Sequence, residues 1–328
     1  MQRDVDILVI GTSIDPHIDA VLGKLPRSLS VVRFDVDRFP RESRLSLSPL
    51  AVDCQVLLTE GREVLDISRP QVVWFRRLGA PGLPEGLPDR YRQFCLGEAE
   101  QALEGMLNLI RPNAWINEYW STRQAANKPR QYAMAQVAGL HVPKTFVSND
   151  PVVSEAWLNE EPYAVVKSLH SPMITKQDSS SNRSFAFTRL LTEQDRKDLT
   201  DVATTPCQFQ PYVKGRFELR VTSIGNRHFA VRIDKPIGSR DVPDWRPVTS
   251  ECTYRTWHLP SDVGTALSRF MADLGLEYAA SDFIVDESGK FVFLESNPHG
   301  AWLWLEEAIP GLGIAENFAR HLTLLVQR

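Results

Sequence analysis

The segment 278–304, Y-A-A-S-D-F-I-V-D-E-S-G-K-F-V-F-L-E-S-N-P-H-G-A-W-L-W, limits what this chain can become more than any other stretch. Two short apolar runs flank Asp286-Glu287-Ser288-Gly289, a cluster with turn chemistry, so the segment reads as a β-hairpin. A two-residue loop at Ser288-Gly289 pairs Glu287 with Lys290 and, counting outward, sets Asp282 opposite Glu295. A four-residue loop moves the pairing by two and still leaves both carboxylates on one face. Asn297, two residues past Glu295, points the same way while the strand continues. Three oxygen donors on one face, with neither His nor Cys among them, suit a hard cation such as Mg²⁺ better than zinc. An acidic residue on each strand is also how a solvated sheet face commonly looks, so the rest of the chain has to decide.

With 328 residues, 43% of them hydrophobic, the chain can bury a full core and is expected to hold two or three subdomains. The net charge of −4, without a long Lys/Arg run, gives no electrostatic footprint for nucleic acid. Cys54, Cys95, Cys207 and Cys252 are scattered without C-x-x-C spacing, as reduced thiols would be, rather than as a disulfide scaffold or a zinc site. The start, M-Q-R-D-V-D-I-L-V-I-G, enters a strand without a signal-peptide apolar region, and no apolar run approaches a membrane span. The expectation is a cytoplasmic protein with no membrane partner.

Residues 6–11 (D-I-L-V-I-G) form the continuous apolar run of a buried parallel strand. A helix over 17–24, a strand at 29–34 and another at 72–75 give the rhythm of an open α/β domain. Gly11-Thr12-Ser13 lacks both G-x-G-x-x-G and a Walker A pattern, so it reads as an ordinary strand-to-helix turn. Residues 41–50 and 79–89 read as turn-rich connectors, and 90–110 as a helix closed by Pro112. Pro129 suits a first helical turn, with Asn127 or Lys128 at the cap and Gly139 at the stop. Extended runs follow at 142–147, at 163–167 with Lys167 last, at 207–213, and at 214–221 and 229–234. Residues 168–184 lack an apolar period and read as a mobile Ser-rich loop, and 237–246 as a polar connector. Helices are expected at 262–274 and 314–326, the second amphipathic through Phe318, Leu322 and Leu325.

The ordered set of Lys128 before a helix, Lys167 ending a strand, Q-P-Y-V at 210–213, E-L-R at 218–220, Asp282, and E-S-N at 295–297 resembles the ATP-grasp fold. The resemblance runs from about Trp120 to the C-terminus, and the preceding α/β region is similar to the domain that usually precedes a grasp. It implies an α/β protein, α+β in its C-terminal half, divided into a pre-ATP-grasp domain at 1–118, a central subdomain at 119–206 and a C-terminal subdomain at 207–328. Finer details, N-K-P-R-Q-Y, D-W-R and N-P-H-G-A-W-L-W, resemble the microviridin-type or graspetide maturases, which build macrocycles into ribosomal peptides.

What the resemblance implies can be given residue by residue. Lys128 and Lys167 contact ATP phosphates. Gln210, Pro211, Tyr212 and Val213 form the hinge that offers adenine one carbonyl and one N–H. Pro211 has no N–H, so the donor is Tyr212 or Val213. Glu218 lies near ribose or metal, Arg220 clamps a phosphate or acyl phosphate, and Arg246 orients the peptide carboxylate. Asp282, Glu295 and Asn297 hold Mg²⁺. The 168–184 loop has no glycine, so His170, Lys176 or Ser hydroxyls take over from a glycine-rich phosphate cover. Trp302 and Trp304 pack under the sheet, and His299 is a neighbour of the site rather than a ligand.

The implied function is ATP- and Mg²⁺-dependent carboxylate ligation through an acyl phosphate. Its substrate is a precursor peptide with leader and core segments, cyclised between Asp/Glu and Ser/Thr/Lys side chains, and a homodimer is compatible with it. Two other readings stay open: a RimK-like or glutathione-synthetase-like ligase adding an amino acid to a small molecule or protein terminus, and a nucleotide-binding regulatory module without turnover.

Overall fold

β1 (Ile7–Gly11) is buried along its whole length, and its side chains alternate between two separate cores. In the computed structural model, which describes residues 4–50, 54–170, 173–175, 183–239 and 242–327, the strand is followed by α1 (Pro16–Leu22) and β2 (Val31–Asp35). β3 (Ser43–Ser48), β4 (Gln55–Glu60) and β5 (Glu63–Asp66) form a small antiparallel sheet of their own. β6 (Val72–Phe75), α2 (Asp89–Leu109) and β7 (Ala114–Ile116) complete the first region, whose main sheet has the parallel order β2-β1-β6-β7. The expectation of a connector over 41–50 was wrong. There the alternation Leu45, Leu47 pairs with β4 and lays one apolar edge against Leu103 and Met106 of α2. Only one face of that sheet is buried, so serines and an arginine fill the other and hide the strand among turn-forming residues.

α3 (Tyr119–Ala125) and α4 (Lys128–Val137) lead into the central region. Asn127 caps α4 by accepting from the Arg130 N–H, which starts the helix at Lys128. β8 (Phe146–Ser148), α5 (Pro151–Glu160) and β9 (Ala164–Lys167) follow, then β10 (Met173–Thr175), β11 (Arg183–Phe185) and β12 (Arg189–Leu190). The expected extended run at 142–147 is a strand only from Phe146 onward. β10 and β11 pair antiparallel, so a hairpin's flanks stand where a mobile loop was expected; Lys176 and the serines at 179–181 lie outside the described residues. After α6 (Glu193–Lys197), β13 (Cys207–Pro211) returns to lie between β9 and β8, giving the order β12-β9-β13-β8. This sheet and α5 share a small core of Leu158, Ala164, Val202 and Phe209.

The last region is a five-stranded antiparallel sheet, β16-β15-β14-β17-β18, built from β14 (Gly215–Ile224), β15 (Arg227–Asp234), β16 (Thr253–Trp257), β17 (Tyr278–Asp286) and β18 (Phe291–Asn297). α7 (Ser261–Asp273) and α4 cover one face through Phe270, Met271 and Tyr132. α8 (Leu303–Ala308) and α9 (Ile314–Val326) close the chain. Phe318 and Leu322 of α9 pack with Ile7, Val9, Val72 and Trp74, so the first sheet and the C-terminal helix share one core. Among the described residues no helix is long and apolar enough to cross a membrane.

The hairpin β17–β18 reaches the expected register by an unexpected route. The turn is one residue longer than a Ser288-Gly289 loop: Asp286 N–H donates to the Lys290 carbonyl at 3.0 Å, and Gly289 takes φ +90°. Asp286 Oδ1 fastens it by accepting from the Ser288 and Lys290 N–H groups, each at 2.9 Å. Phe283 therefore faces Phe293, yet Asp282 faces Glu295, because Leu294 is a β-bulge. That bulge is chemically necessary. Phe291 and Phe293 point into the helix-covered core, and simple alternation would send Glu295 after them. The extra residue turns Glu295 onto the opposite face, with Asp282.

Candidate active site

The uncovered face of the C-terminal sheet and the central sheet enclose one cavity. Of the residues singled out from sequence, Lys128, Lys167, Gln210, Pro211, Tyr212, Val213, Glu218, Arg246, Asp282, Glu295 and Asn297 line it. Arg220 does not. It stands behind Asp282, with Nη1 reaching Oδ1 at 2.8 Å and Oδ2 at 2.9 Å, while Nη2 donates to the Ala301 carbonyl at 3.3 Å.

Charges in the cavity are paired. Lys128 Nζ lies 3.0 Å from Glu295 Oε2 and donates to the Ser168 carbonyl at 2.9 Å. Burial works against ionisation of Glu295, but Lys128, Arg246 and Lys167 outweigh it and hold the carboxyl at about 2. Asp282 moves the other way: burial raises its pKa against the pull of Arg220, and the nearby Glu295 charge adds to the rise. Glu218 is pushed up to about 7 by burial, although Lys235 Nζ sits 3.0 Å away. Arg246 forks onto Asp244, Nε at 2.8 Å and Nη2 at 2.7 Å, and Asp244 Oδ2 also accepts from the Thr188 N–H at 3.2 Å. Lys167 is the exception. Its ammonium has no hydrogen bond or ion pair among the described residues, and burial depresses its pKa.

The strand β13 presents the hinge. Gln210 Nε2 is tied to Thr145 Oγ1 at 2.9 Å, and the Tyr212 N–H donates to the Tyr163 carbonyl at 2.7 Å. Of the two N–H groups open to an adenine, Tyr212 is thus already engaged, which leaves Val213.

Asp282, Glu295 and Asn297 offer only oxygens, the donor set a hard divalent cation takes. Both carboxylates currently hold a cation of the protein itself. No group of three or more His, Cys, Asp or Glu residues is placed to hold a metal ion among the described residues, so a cation held here would have to draw its third protein ligand from Asn297.

Sequence reasoning missed Gln131. From α4 its amide donates to the Ser296 carbonyl at 2.7 Å and accepts from the Ser296 N–H at 2.8 Å, pinning the residue between Glu295 and Asn297. Lys128 sits one turn earlier on the same helix, so a single element sets both the lysine and the strand that carries the acids. The only available signal was position i+3 from Lys128, and a lone glutamine in a helix carries no pattern. The two tryptophans separate: Trp302 is buried edge-on to His17 with ring centroids 5.1 Å apart, whereas Trp304 packs against Trp245 with tilted rings 5.3 Å apart. Trp304 thereby anchors the D-W-R connector that bears Arg246.

Residues 6–123 match a family model described as the MvdD pre-ATP grasp domain. A search of the curated proteins finds no match. Among solved structures, the chain is similar to a RiPP-associated ATP-grasp ligase from Chryseobacterium gregarium, in complex with ADP and a leader and core peptide. The TM-score is 0.87 and the identity 24%, over 97% of this chain and 96% of that one. It is also similar to the macrocyclase MdnC of Microcystis aeruginosa MRC bound with precursor peptide MdnA, with TM-score 0.84 and 26% identity over 97% and 99% of the two chains. The macrocyclase MdnB of the same organism follows, with TM-score 0.77 and 25% identity over 98% and 99%. With the two sheets enclosing one charged cavity and this pre-grasp domain ahead of them, the chain is an ATP-grasp ligase resembling the graspetide-type maturases.

Proposed function

We propose that the protein is an ATP- and Mg²⁺-dependent carboxylate ligase that cyclises a ribosomal precursor peptide, joining Asp/Glu side chains to Ser/Thr or Lys side chains. The observation that carries this reading is the single cavity in which two lysines, one forked arginine and an all-oxygen ligand set converge. A carboxylate is a poor acyl donor, since direct attack by an alcohol or amine would expel oxide. Phosphoryl transfer from ATP to that carboxylate gives an acyl phosphate, whose leaving group is inorganic phosphate. Enzymes meet this task by positioning and by neutralising charge.

Lys167 and Lys128 receive the phosphates, the hinge at 210–213 receives adenine through the Val213 N–H, and Glu218 borders the ribose. Asp282, Glu295 and Asn297 would hold Mg²⁺, which supplies charge neutralisation between the phosphates when bound. Arg246 keeps Nη1 outside its fork on Asp244 and turns it to the incoming peptide carboxylate. Arg220, which does not reach the cavity, acts on the ligand set from behind by holding the Asp282 carboxylate in place.

The test is to incubate the protein with ATP, Mg²⁺ and a short peptide encoded beside its gene, following ADP release and product mass. One water is lost for each ring closed. ADP release that needs a free amino acid and leaves the peptide mass unchanged would transfer the protein to the amino-acid-adding ligases. Nucleotide binding without any turnover would make it a regulatory module.

A further inference from the structure

Only Asn297 of the run N-P-H-G-A-W-L-W enters the proposed chemistry, yet the backbone that follows is held group by group. Asn117 Nδ2 donates to the Pro298 carbonyl at 3.3 Å, Arg76 Nη1 to that of His299 at 2.5 Å, and the Tyr278 hydroxyl to that of Gly300. Gly300 has to be glycine, because a Cβ there would meet the Ala280 side chain at 2.3 Å. His17 Nε2 accepts from the Trp302 N–H at 3.2 Å and the Leu303 N–H at 3.3 Å. That acceptor role leaves its proton on Nδ1, which donates to Asp15 Oδ1 at 2.8 Å. Asp15 Oδ2 in turn lies 3.1 Å from Arg76 Nε. Asp15, His17 and Arg76 all come from the pre-grasp domain, the first two from the start of α1 and the third from just past β6.

Arg76 is only 2% exposed, and its Nε and Nη2 make no hydrogen bond among the described residues. A buried guanidinium so incompletely satisfied is a poor way to stabilise an interface. Its one well-made bond goes to the His299 carbonyl, and the N–H of that same residue donates to Asn297 Oδ1 at 2.8 Å. We infer that Arg76, braced by Asp15, is a positioning residue: by fixing His299 it orients the Asn297 side chain toward the cation site. The pre-grasp domain thus sets the geometry of a ligand it does not itself supply. Outer groups that orient a ligand typically account for a 10- to 100-fold change in metal affinity, roughly.

This inference rests on Asn297 being a metal ligand, and the experiment separates the two claims. Mn²⁺, standing in for Mg²⁺, is titrated by electron paramagnetic resonance into the ADP complex of the wild type, Arg76→Lys, Asn297→Ala and the double variant. Arg76→Lys keeps a charge beside Asp15 and gives up the second nitrogen that reaches His299. It should weaken Mn²⁺ by about tenfold while metal-free ADP affinity stays unchanged, and the double variant should be no worse than Asn297→Ala alone. Unchanged Mn²⁺ affinity in a folded Arg76→Lys, or effects that simply add in the double variant, overturns the inference. If Asn297→Ala itself leaves Mn²⁺ binding unchanged, the ligand assignment falls first and takes the inference with it. Should Arg76→Lys fail to fold, Asp15→Asn/Arg76→Gln, which removes the charged pair together, gives the same reading.

Discussion

Replacing Glu218 with Gln should flatten the fall in stability as pH rises from about 5 to 8 while impairing nucleotide binding. Glu218 is 5% exposed, and burial lifts its pKa from 4.5 to about 7 despite Lys235, with Asp282 and Asp244 adding to the rise. Between those two values the folded protein binds a proton that the unfolded chain has released, so stability falls as pH rises through the window. Above it both states are ionised and the loss is complete. Gln cannot titrate, so the variant escapes this loss. Between about pH 5 and pH 8 the linkage amounts to roughly 2 to 3 kcal/mol, at about 1.36 kcal/mol per unit of pKa. Urea unfolding of both proteins at the two pH values measures it, and taking the difference of differences cancels whatever Gln costs in packing against Lys235. A wild-type-to-variant gap that stays constant across the range would refute the buried, proton-holding Glu218. At such a site, stability surrendered is commonly exchanged for activity.

Glu295→Gln should leave the fold intact, since Lys128 keeps its bond to the Ser168 carbonyl, and should slow turnover by at least about a hundredfold; near-normal activity at ordinary Mg²⁺ concentrations sinks the metal assignment. Lys167→Met should raise the nucleotide Kd by about tenfold with little change in unfolding temperature, because burial already works against that charge. A variant that binds nucleotide normally but unfolds much earlier would make Lys167 structural. Arg246→Ala should suppress peptide-dependent ADP release while sparing nucleotide affinity, whereas Arg220→Ala, by freeing Asp282, should damage both; wild-type cyclisation by Arg246→Ala at subsaturating peptide ends its assigned role.

How much of this was legible depended on whether a residue's reason lay in its own element. β1 and α9 could be read because a run of buried aliphatics and a helical period are properties of single segments. The Asp282–Glu295 pairing was read correctly through two errors that cancel, a turn one residue too short and an unforeseen bulge at Leu294. Nothing in F-V-F-L-E-S-N marks that bulge locally; it follows from Phe293 and Glu295 needing opposite faces. Gln131, His17 and Arg76 were invisible as site residues for the same reason, since each acts on backbone more than 160 positions away. Trp304 and Arg246 were read as separate features, although Trp245 joins them.

The pairing of charges in the cavity carries a consequence for how a nucleotide can enter. Lys128 on Glu295 and Arg220 on Asp282 are cations resting on the ligands proposed for Mg²⁺. A nucleotide arriving without metal would draw Lys128 away and leave only Arg246 and Lys167 to offset the burial of Glu295. A cation arriving alone would displace the same lysine with no phosphate to receive it. If the two arrived together, phosphate would offer Lys128 a new partner while Glu295 would be free to hold the cation, and neither charge would lose its counter-charge. Lys167, with no partner among the described residues, is the group that can meet the phosphates before any exchange begins. It stands at the end of β9, in the sheet that shares the core of Leu158, Ala164, Val202 and Phe209 with α5.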